Sequence, residues 1–483
     1  MYNGLIGMKG KDRMVQTKRQ KQDRMAPIRN GEAITTRHQF EMVVRLSLPA
    51  VMAQFTSVIM SYIDASMVGA LGAEKTAAIG LVTTTTWLFG SVCMALSTGF
   101  TVQAAQFLGA KKTEEARGVF RQGLMAIIAV GLLAAVIGAA VSGPLPGWLH
   151  GDTAIRADAS AYLLIFACFL PFSGLNSLAG GMLQASGNMR VPGILNGLMC
   201  VLDVILNALL IFPGYDIRLG AVPLHIPAAG MGVAGAALGT ALSEMIIALV
   251  MLWYAGVHDS QFRIRKGDSF RLSLPCQKKA FSLSLPIAFQ NGMICGAFIV
   301  VTRVIAGLGT VAVAAHSLAV TSESLAYTPA FGIETAAGAL VGQSVGAARK
   351  DLAGQFARKS VITGMITVGI LGVFMYFACP LVIGLMTPDP AVRSLGVQVL
   401  RIIILFEPVY AVSLISSGSF QGAGDTLVPS LMNLFSLWAV RLPLTIFAAG
   451  RYGLTGVWAA MCLEIIFRGG IFLVRLLRGK WLK

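Results

Sequence analysis

Leu46-Ser47-Leu48-Pro49 recurs as Leu283-Ser284-Leu285-Pro286, an offset of 237 residues from position 46 to 283. The same offset relates Leu71-Gly72 to Leu308-Gly309, Gln106 to Gln343, Gly109-Ala110 to Gly346-Ala347 and Arg121 to Arg358. It continues through Pro171 and Pro408, Gln184 and Gln421, Gly187 and Gly424, Pro192 and Pro429, and Asn196 and Asn433. Chance matches do not keep one register over such a length, so the chain is a tandem repeat. Toward the end of each half the offset falls to 221, where Gly235 pairs with Gly456. The first half therefore carries an insertion around residues 213–229.

Both halves are apolar. Of 483 residues 55% are hydrophobic and 12% charged, against about 25% charged in a soluble domain. The apolar residues come in long blocks, which makes lipid the solvent for much of the chain. Twelve blocks are long enough to span a bilayer: 46–70, 77–106, 119–142, 158–185, 190–212, 231–257, 282–307, 311–342, 357–386, 393–420, 427–449 and 453–477. Each must be a helix, because an unpaired backbone group in hydrocarbon costs several kcal/mol. Six spans per half give the halves one orientation, so a pseudo-twofold axis along the membrane normal relates them, with a cavity between. The predicted fold is an all-α membrane protein, twelve transmembrane helices in two homologous six-helix bundles. Residues 1–40 form a basic tail, 41–257 the first lobe, 258–281 a linker and 282–483 the second lobe. In the insertion, the Asp216-Ile217-Arg218-Leu219 alternation suits a short hairpin in an external loop.

The formal net charge of +16 suggests nucleic acid until its distribution is read. Residues 1–45 hold ten Lys and Arg. Lys111, Lys112, Arg117 and Arg121 follow span 2, Arg263 to Lys279 follow span 6, and Arg349, Lys350, Arg358 and Lys359 follow span 8. The other side carries only Lys75, Arg156, Arg218, Arg393 and Arg451. This bias places both termini in the cytoplasm of a cell whose inner membrane the chain crosses. The charge is a topology signal and no nucleic-acid partner is expected. No cleavable signal segment is evident, so span 1 is expected to act as the insertion signal. The seven cysteines lie apart without CxxC or metal spacing and read as small packing residues. A monomer without cofactor is expected, in contact with membrane lipid.

Ionisable residues at depth are costly and need a reason. Asp64 lies in Ser61-Tyr62-Ile63-Asp64-Ala65-Ser66 with no basic residue in helical reach. A lone carboxyl group there is a proton or Na⁺ site, or a hydrogen-bond acceptor for a neighbouring helix. In span 5, Asn196, Asp203 and Asn207 are spaced by seven and four, which puts them on one face. Such a stripe of oxygens suits Na⁺, a proton relay, or interhelical hydrogen bonding. Thr240 of span 6 adds a hydroxyl. The second half offers pairs: Arg303 with Glu323 on adjacent spans, Glu464 with Arg468 four apart, and Arg441 placed for Glu407 or Glu464. These read as structural ion pairs. His316 is read as a packed histidine. The 22 methionines suit a promiscuous apolar cavity or ordinary packing.

Tyr62-Ile63-Asp64-Ala65-Ser66-Met67-Val68-Gly69 resembles the first-helix signature of the multidrug and toxic compound extrusion (MATE) family. Ala314-Ala315-His316, Pro329-Ala330-Phe331-Gly332, Leu340-Val341-Gly342-Gln343-Ser344-Val345-Gly346-Ala347, Gln184-Ala185-Ser186-Gly187-Asn188 and Gln421-Gly422-Ala423-Gly424-Asp425-Thr426 are similar to further family motifs, in order, over residues 40–483. The resemblance implies secondary antiport: export of cationic amphipathic compounds against H⁺ or Na⁺. It also implies that Asp64 is the first-helix coupling acid and that Asp203, Asn207 and Thr240 complete a first-lobe cation site, the possible Na⁺ ligands. Many members place Asn first and Asp second in the fifth helix; here Asp203 precedes Asn207. Some Na⁺-driven members carry acids in helices 7 and 10, at positions that look like Ile294 and Tyr410 here. Coupling is thus expected in the first lobe, with a lean toward H⁺.

Three other readings compete. A flippase for a lipid-linked oligosaccharide needs a cationic cavity, for which Arg303, Arg401, Arg441 and Arg468 are candidates. A membrane-embedded enzyme needs a nucleophile, HExxH or paired-carboxylate motif, and none is present. A channel lacks its filter-like ring.

Overall fold

The computed structural model describes residues 25–219, 222–265 and 267–482. Short α1 (Ala26–Asn30) precedes α2 (Thr36–Gly69), α3 (Ala73–Gly109), α4 (Thr113–Ser142), the single turn α5 (Leu145–Trp148), α6 (Thr153–Ala185), α7 (Arg190–Ile211) and α8 (Val233–Trp253). The second lobe contains α9 (Leu274–Ala306), α10 (Thr310–Gly346), α11 (Lys350–Met386), α12 (Pro390–Ile404), α13 (Glu407–Gly422), α14 (Leu427–Phe435) and α15 (Leu442–Arg478). Polar side chains cap three of the described helices: the Thr35 hydroxyl accepts from His38 N–H at the head of α2, Asp152 from Ala154 N–H at the head of α6, and Asp389 from Ala391 N–H at 2.8 Å at the head of α12. π-turns extend α8 (Tyr254–His258) and join α14 to α15 (Ser436–Arg441).

Nine of the described helices are long and apolar enough to cross a membrane, and the pair α12–α13, bent by 54°, makes a tenth span. The break falls at Leu405–Phe406, and Pro408 in the first turn of α13 has no N–H to give the Ile404 carbonyl. The Leu427–Arg478 stretch is two spans, interrupted at Gly453 with φ +58°. α10 is long enough but more polar. No residue of α10 from Thr321 to Gly346 is exposed, because neighbouring helices cover it. Twelve spans result.

The repeat extends to backbone conformation. Gly72 and Gly309 share φ near +105° and +101°, Lys111 and Ala348 share +62° and +58°, and Gly187 and Gly424 share +92° and +89°. Gly232 and Gly453, at the 221 offset, share +56° and +58°. The insertion is an antiparallel hairpin of β1 (Pro213–Leu219) and β2 (Val222–Ala229), with Leu219 opposite Val222 and a bulge between Pro213 and Tyr215.

The lobes are pressed together at one end, the end that carries the last residues of α3 and α10. A Cβ at Gly109 would overlap the Gln343 carbonyl oxygen, and one at Gly346 would overlap the Gln106 carbonyl oxygen. Gln343 Nε2 donates to Ala185 O at 2.6 Å, and Gln106 Nε2 to Gly422 O at 3.2 Å. These four contacts are images of one another under the 237 offset. Away from this crossing the two helices diverge, and Trp87, Val311, Val313 and Val320 are exposed on their far halves.

Residues 1–24 of the predicted tail lie outside the described residues. Met25 onward is folded against both lobes. Met25 and Ile28 are fully buried, Met25 fills the space beside Gly187, and Arg349 Nη1 donates to Pro27 O. The linker is strapped to α4: Arg117 Nη2 donates to Ser260 O at 2.9 Å, Gln122 Nε2 to Arg271 O at 2.7 Å, and Phe262 packs on Phe120. α9 begins at Leu274, eight residues before the predicted lobe boundary, because Pro275 takes the first turn.

Candidate functional site

Three of the predicted polar residues meet inside the first lobe. The four-residue spacing of Asp203 and Asn207 on α7 stacks their side chains, and Asn207 Nδ2 donates to Asp203 Oδ2 at 3.1 Å. The same amide donates to Asp64 Oδ1 on α2 at 3.0 Å. Asp203 and Asn207 are fully buried, and Asp64 is half-buried. The Asp64 carboxyl also lies against that of Asp203. No basic residue forms an ion pair with either acid among the described residues. Two carboxylates around one amide cannot both stand charged in a low-dielectric site unless a proton or cation joins them.

Asn207 Oδ1 has no donor and faces Gly239 of α8, where a Cβ would overlap it. It is a buried oxygen with a free lone pair, and with the two carboxylates it fits either a proton relay or Na⁺. Thr240 enters only through its backbone carbonyl, which accepts from Ser243 Oγ at 2.8 Å. Ser243 is the hydroxyl that reaches the cluster, 3.4 Å from Asp203 Oδ1. Sequence reading missed it, although it lies one turn beyond Thr240 on the same helix. Asn196 is seven residues before Asp203, about 10 Å along the axis; its Oδ1 is unpartnered and it does not join the cluster. Tyr162 of α6 was also missed and feels both acids. Tyr62, two residues before Asp64, donates from its hydroxyl to Thr321 O of α10 at 3.0 Å, so the helix bearing Asp64 is tied to the other lobe.

The second lobe corrects one expected pair. Arg303 is exposed and forms no ion pair among the described residues. It lies about 4.5 Å from the end of α9, whereas Glu323 lies about 20 Å into α10 from the same end. Helix adjacency does not bridge that difference in depth. Glu323, which is buried, faces Glu407 of α13 instead. Both Glu407 oxygens lack a donor. Glu464 and Arg468 do pair, at 2.9 Å, with Ser436 Oγ donating to Glu464 at 2.5 Å. Arg441 is buried over the Phe298 ring and forms no ion pair among the described residues. Arg401 lies over Tyr376, and His316 packs edge-on to Trp458. The arginines offered for an anionic cavity are thus exposed, stacked on rings or bound to Glu464. No metal-ligating cluster of three or more His, Cys, Asp or Glu exists among the described residues, and the cysteines there are unbridged.

The comparisons agree with this architecture. A protein from Thermotoga maritima called probable multidrug resistance protein NorM is 27% identical over 448 residues, covering 91% of this chain and 93% of that one. A Bacillus cereus protein of the same name is 26% identical, covering 92% and 97%. A solved structure described as the outward-facing conformation of a multidrug resistance MATE family transporter of the MOP superfamily superposes with TM-score 0.84 at 20% identity, covering 92% and 96%. The MatE family model matches residues 49–209 and 286–447, one copy in each half of the repeat. With the repeat, the paired lobes and the matched segments in agreement, the chain belongs to the MatE family.

Proposed function

We propose that the chain is a secondary antiporter that exports cationic amphipathic organic compounds, with coupling to H⁺ or Na⁺ at Asp64, Asp203 and Asn207. The observation that carries this reading is the single Asn207 amide bridging carboxylates from two helices, with no Lys or Arg paired to either among the described residues. The multidrug-resistance names of the relatives support the substrate class. The Lys and Arg bias supports an inner-membrane protein with both termini cytoplasmic. On that orientation the Gln–Gly crossing closes the cytoplasmic end, and this conformation opens outward.

The cycle follows from charge. Deprotonated Asp64 favours the drug-loaded outward state. Uptake of a proton or Na⁺ neutralises the Asp64–Asp203 contact and releases the Asn207 amide from one of its two acceptors. α2 then moves, and its Tyr62 bond to Thr321 carries the change to the second lobe. Drug leaves outward as the cation is taken up, so the two never occupy one state together. The flippase reading loses its anionic-ligand cavity once the arginines are placed as above.

The test is efflux of ethidium from proteoliposomes under separately imposed H⁺ and Na⁺ gradients, with Asp64→Asn alongside. Gradient-driven efflux abolished in the variant is expected and identifies the ion. Full gradient-driven efflux by Asp64→Asn would remove Asp64 from coupling. Absence of ethidium transport by the wild type under both gradients would overturn export itself and favour lipid-linked sugars as cargo.

A further inference from the structure

Glu334 is a second-lobe carboxylate that neither the coupling cluster nor the ion pairs use. It lies on α10 twelve residues before Gly346, about 18 Å from the closed end and near the middle of a bilayer core about 30 Å thick. It is half-buried, and no ion pair or side-chain hydrogen bond to it is found among the described residues. The helices packed around it supply no basic group at its depth. α3 carries no Lys or Arg beyond Lys75, α13 carries none, α2 carries none past Arg45, and on α11 the innermost base, Lys359, is bonded to Gln39 of α2. An ionisable residue at mid-membrane without a partner calls for a mobile one.

Its surroundings are shaped for it. A Cβ at Gly418 of α13 would overlap both Glu334 Cγ and the Glu334 backbone oxygen, so the glycine lets the two helices close up and leaves room for the side chain between them. α10 meets α13 through Gly338 and Gly418, and it meets α3 through Gly342 against Ala105. These close approaches leave one partly exposed face on the preceding turns of α10. Tyr327, Phe331 and Glu334, spaced by four and three, lie along that face. All three are partly exposed. Tyr327 meets Phe331 edge-on with centroids 5.9 Å apart, and Tyr327 meets Tyr410 at 5.4 Å. A ladder of aromatic edges thus runs down to one unpaired carboxylate, on the side where the lobes diverge.

We propose that Glu334 recognises the positive charge of an exported aromatic cation, whose ring system lies against Phe331 and Tyr327. The inference rests on the export reading above and adds a residue to it. Glu334 is a specificity residue: it distinguishes a net cation from a neutral or zwitterionic molecule of the same shape. It stands apart from Asp64 and Asp203, on the other lobe, so drug charge and coupling cation have separate carboxylates.

The test is equilibrium binding of rhodamine 6G, a cation, and rhodamine B, a zwitterion with the same ring system, to the purified full-length protein by fluorescence anisotropy. Glu334→Gln is expected to weaken rhodamine 6G by roughly 10- to 100-fold, the size of a charged hydrogen bond out of water, and to change rhodamine B less than threefold. Glu334→Asp is expected to recover part of the loss. Phe331→Ala should weaken both dyes alike. A thermal melt matching wild type certifies the fold of Glu334→Gln, and if that variant does not fold the two dyes are compared on Glu334→Asp, which should weaken rhodamine 6G more than rhodamine B. Equal weakening of both dyes, or none, overturns the proposal. A wild type that binds neither dye overturns the export reading and this inference with it, whereas intact rhodamine 6G binding in Glu334→Gln overturns this inference alone.

Discussion

Gly109→Ala tests how the lobes are held together. The added methyl carbon overlaps the Gln343 carbonyl oxygen, and both atoms belong to rigid helices. No side chain can swing away, so α3 and α10 must part by roughly 1 Å to restore ordinary contact. Overpacking of this kind costs about 1–3 kcal/mol, borne only by the conformation in which the helices cross. The equilibrium between states sealed and open at this end should therefore shift by roughly 5- to 150-fold toward the open one. Gly346→Ala should act equally, because Gln106 O occupies the equivalent place. Gln106→Ala removes only one amide donor, worth about 0.5–1.5 kcal/mol, and should shift the equilibrium less. The assay is the distance distribution between spin labels at Lys112→Cys and Lys350→Cys, exposed positions on opposite lobes at this end, in a cysteine-free background. A long-distance population that grows in the order wild type, Gln106→Ala, Gly109→Ala is expected. An unchanged distribution in a Gly109→Ala protein that melts like wild type would refute the reasoning.

Two further outcomes follow from charges whose partners are now placed. Removing Arg468 leaves buried Glu464 with the Ser436 hydroxyl as its one hydrogen-bond partner among the described residues, so Arg468→Ala should cost about 3–5 kcal/mol, while exposed Arg303→Ala should stay within about 0.5 kcal/mol; thermal unfolding in detergent separates the two. In the linker, Asp268 accepts the Arg265 N–H at 2.8 Å and pairs with Arg121 at 2.8 Å, which together hold its carboxyl below the usual range. A depressed folded value means the stabilisation is complete above the ordinary carboxylate value of about 3.9 and is lost as pH falls through the lower folded one. Hydrogen exchange of residues 258–273 should accelerate below about pH 4 in the wild type and be fast already at neutral pH in Asp268→Asn.

What could be read in advance divides along a physical line. The stripe of Asp203 and Asn207 was legible because spacing within one helix dictates which side chains share a face, and Asp64 was legible because a lone acid in an apolar block has few uses. Arg303 and Glu323 were misjudged because their spans are neighbours in sequence while their depths differ, and depth depends on where each helix starts. Ser243 was passed over because one turn of α8 separates it from Thr240, and only the rotation of that helix chooses between them. Glu407 is one of two acids the sequence offers to Arg441, with Glu464, but it faces Glu323, because the direction and rotation of α13 after its bend decide which side chains it meets.

The sequence by itself determined the class of solvent, the twelve spans, the twofold repeat and the side of the bundle that carries positive charge, since all of these follow from local hydropathy, helix period and an offset between residues. Only the tertiary structure decided that Gln106 and Gln343 latch the lobes at one end, that Met25 and Ile28 wedge beneath them, and that Glu334 is left without a partner beside Gly418. Contacts between helices depend on axial shift, rotation and the close approach that glycine permits, and none of these is written in the spacing along any one helix.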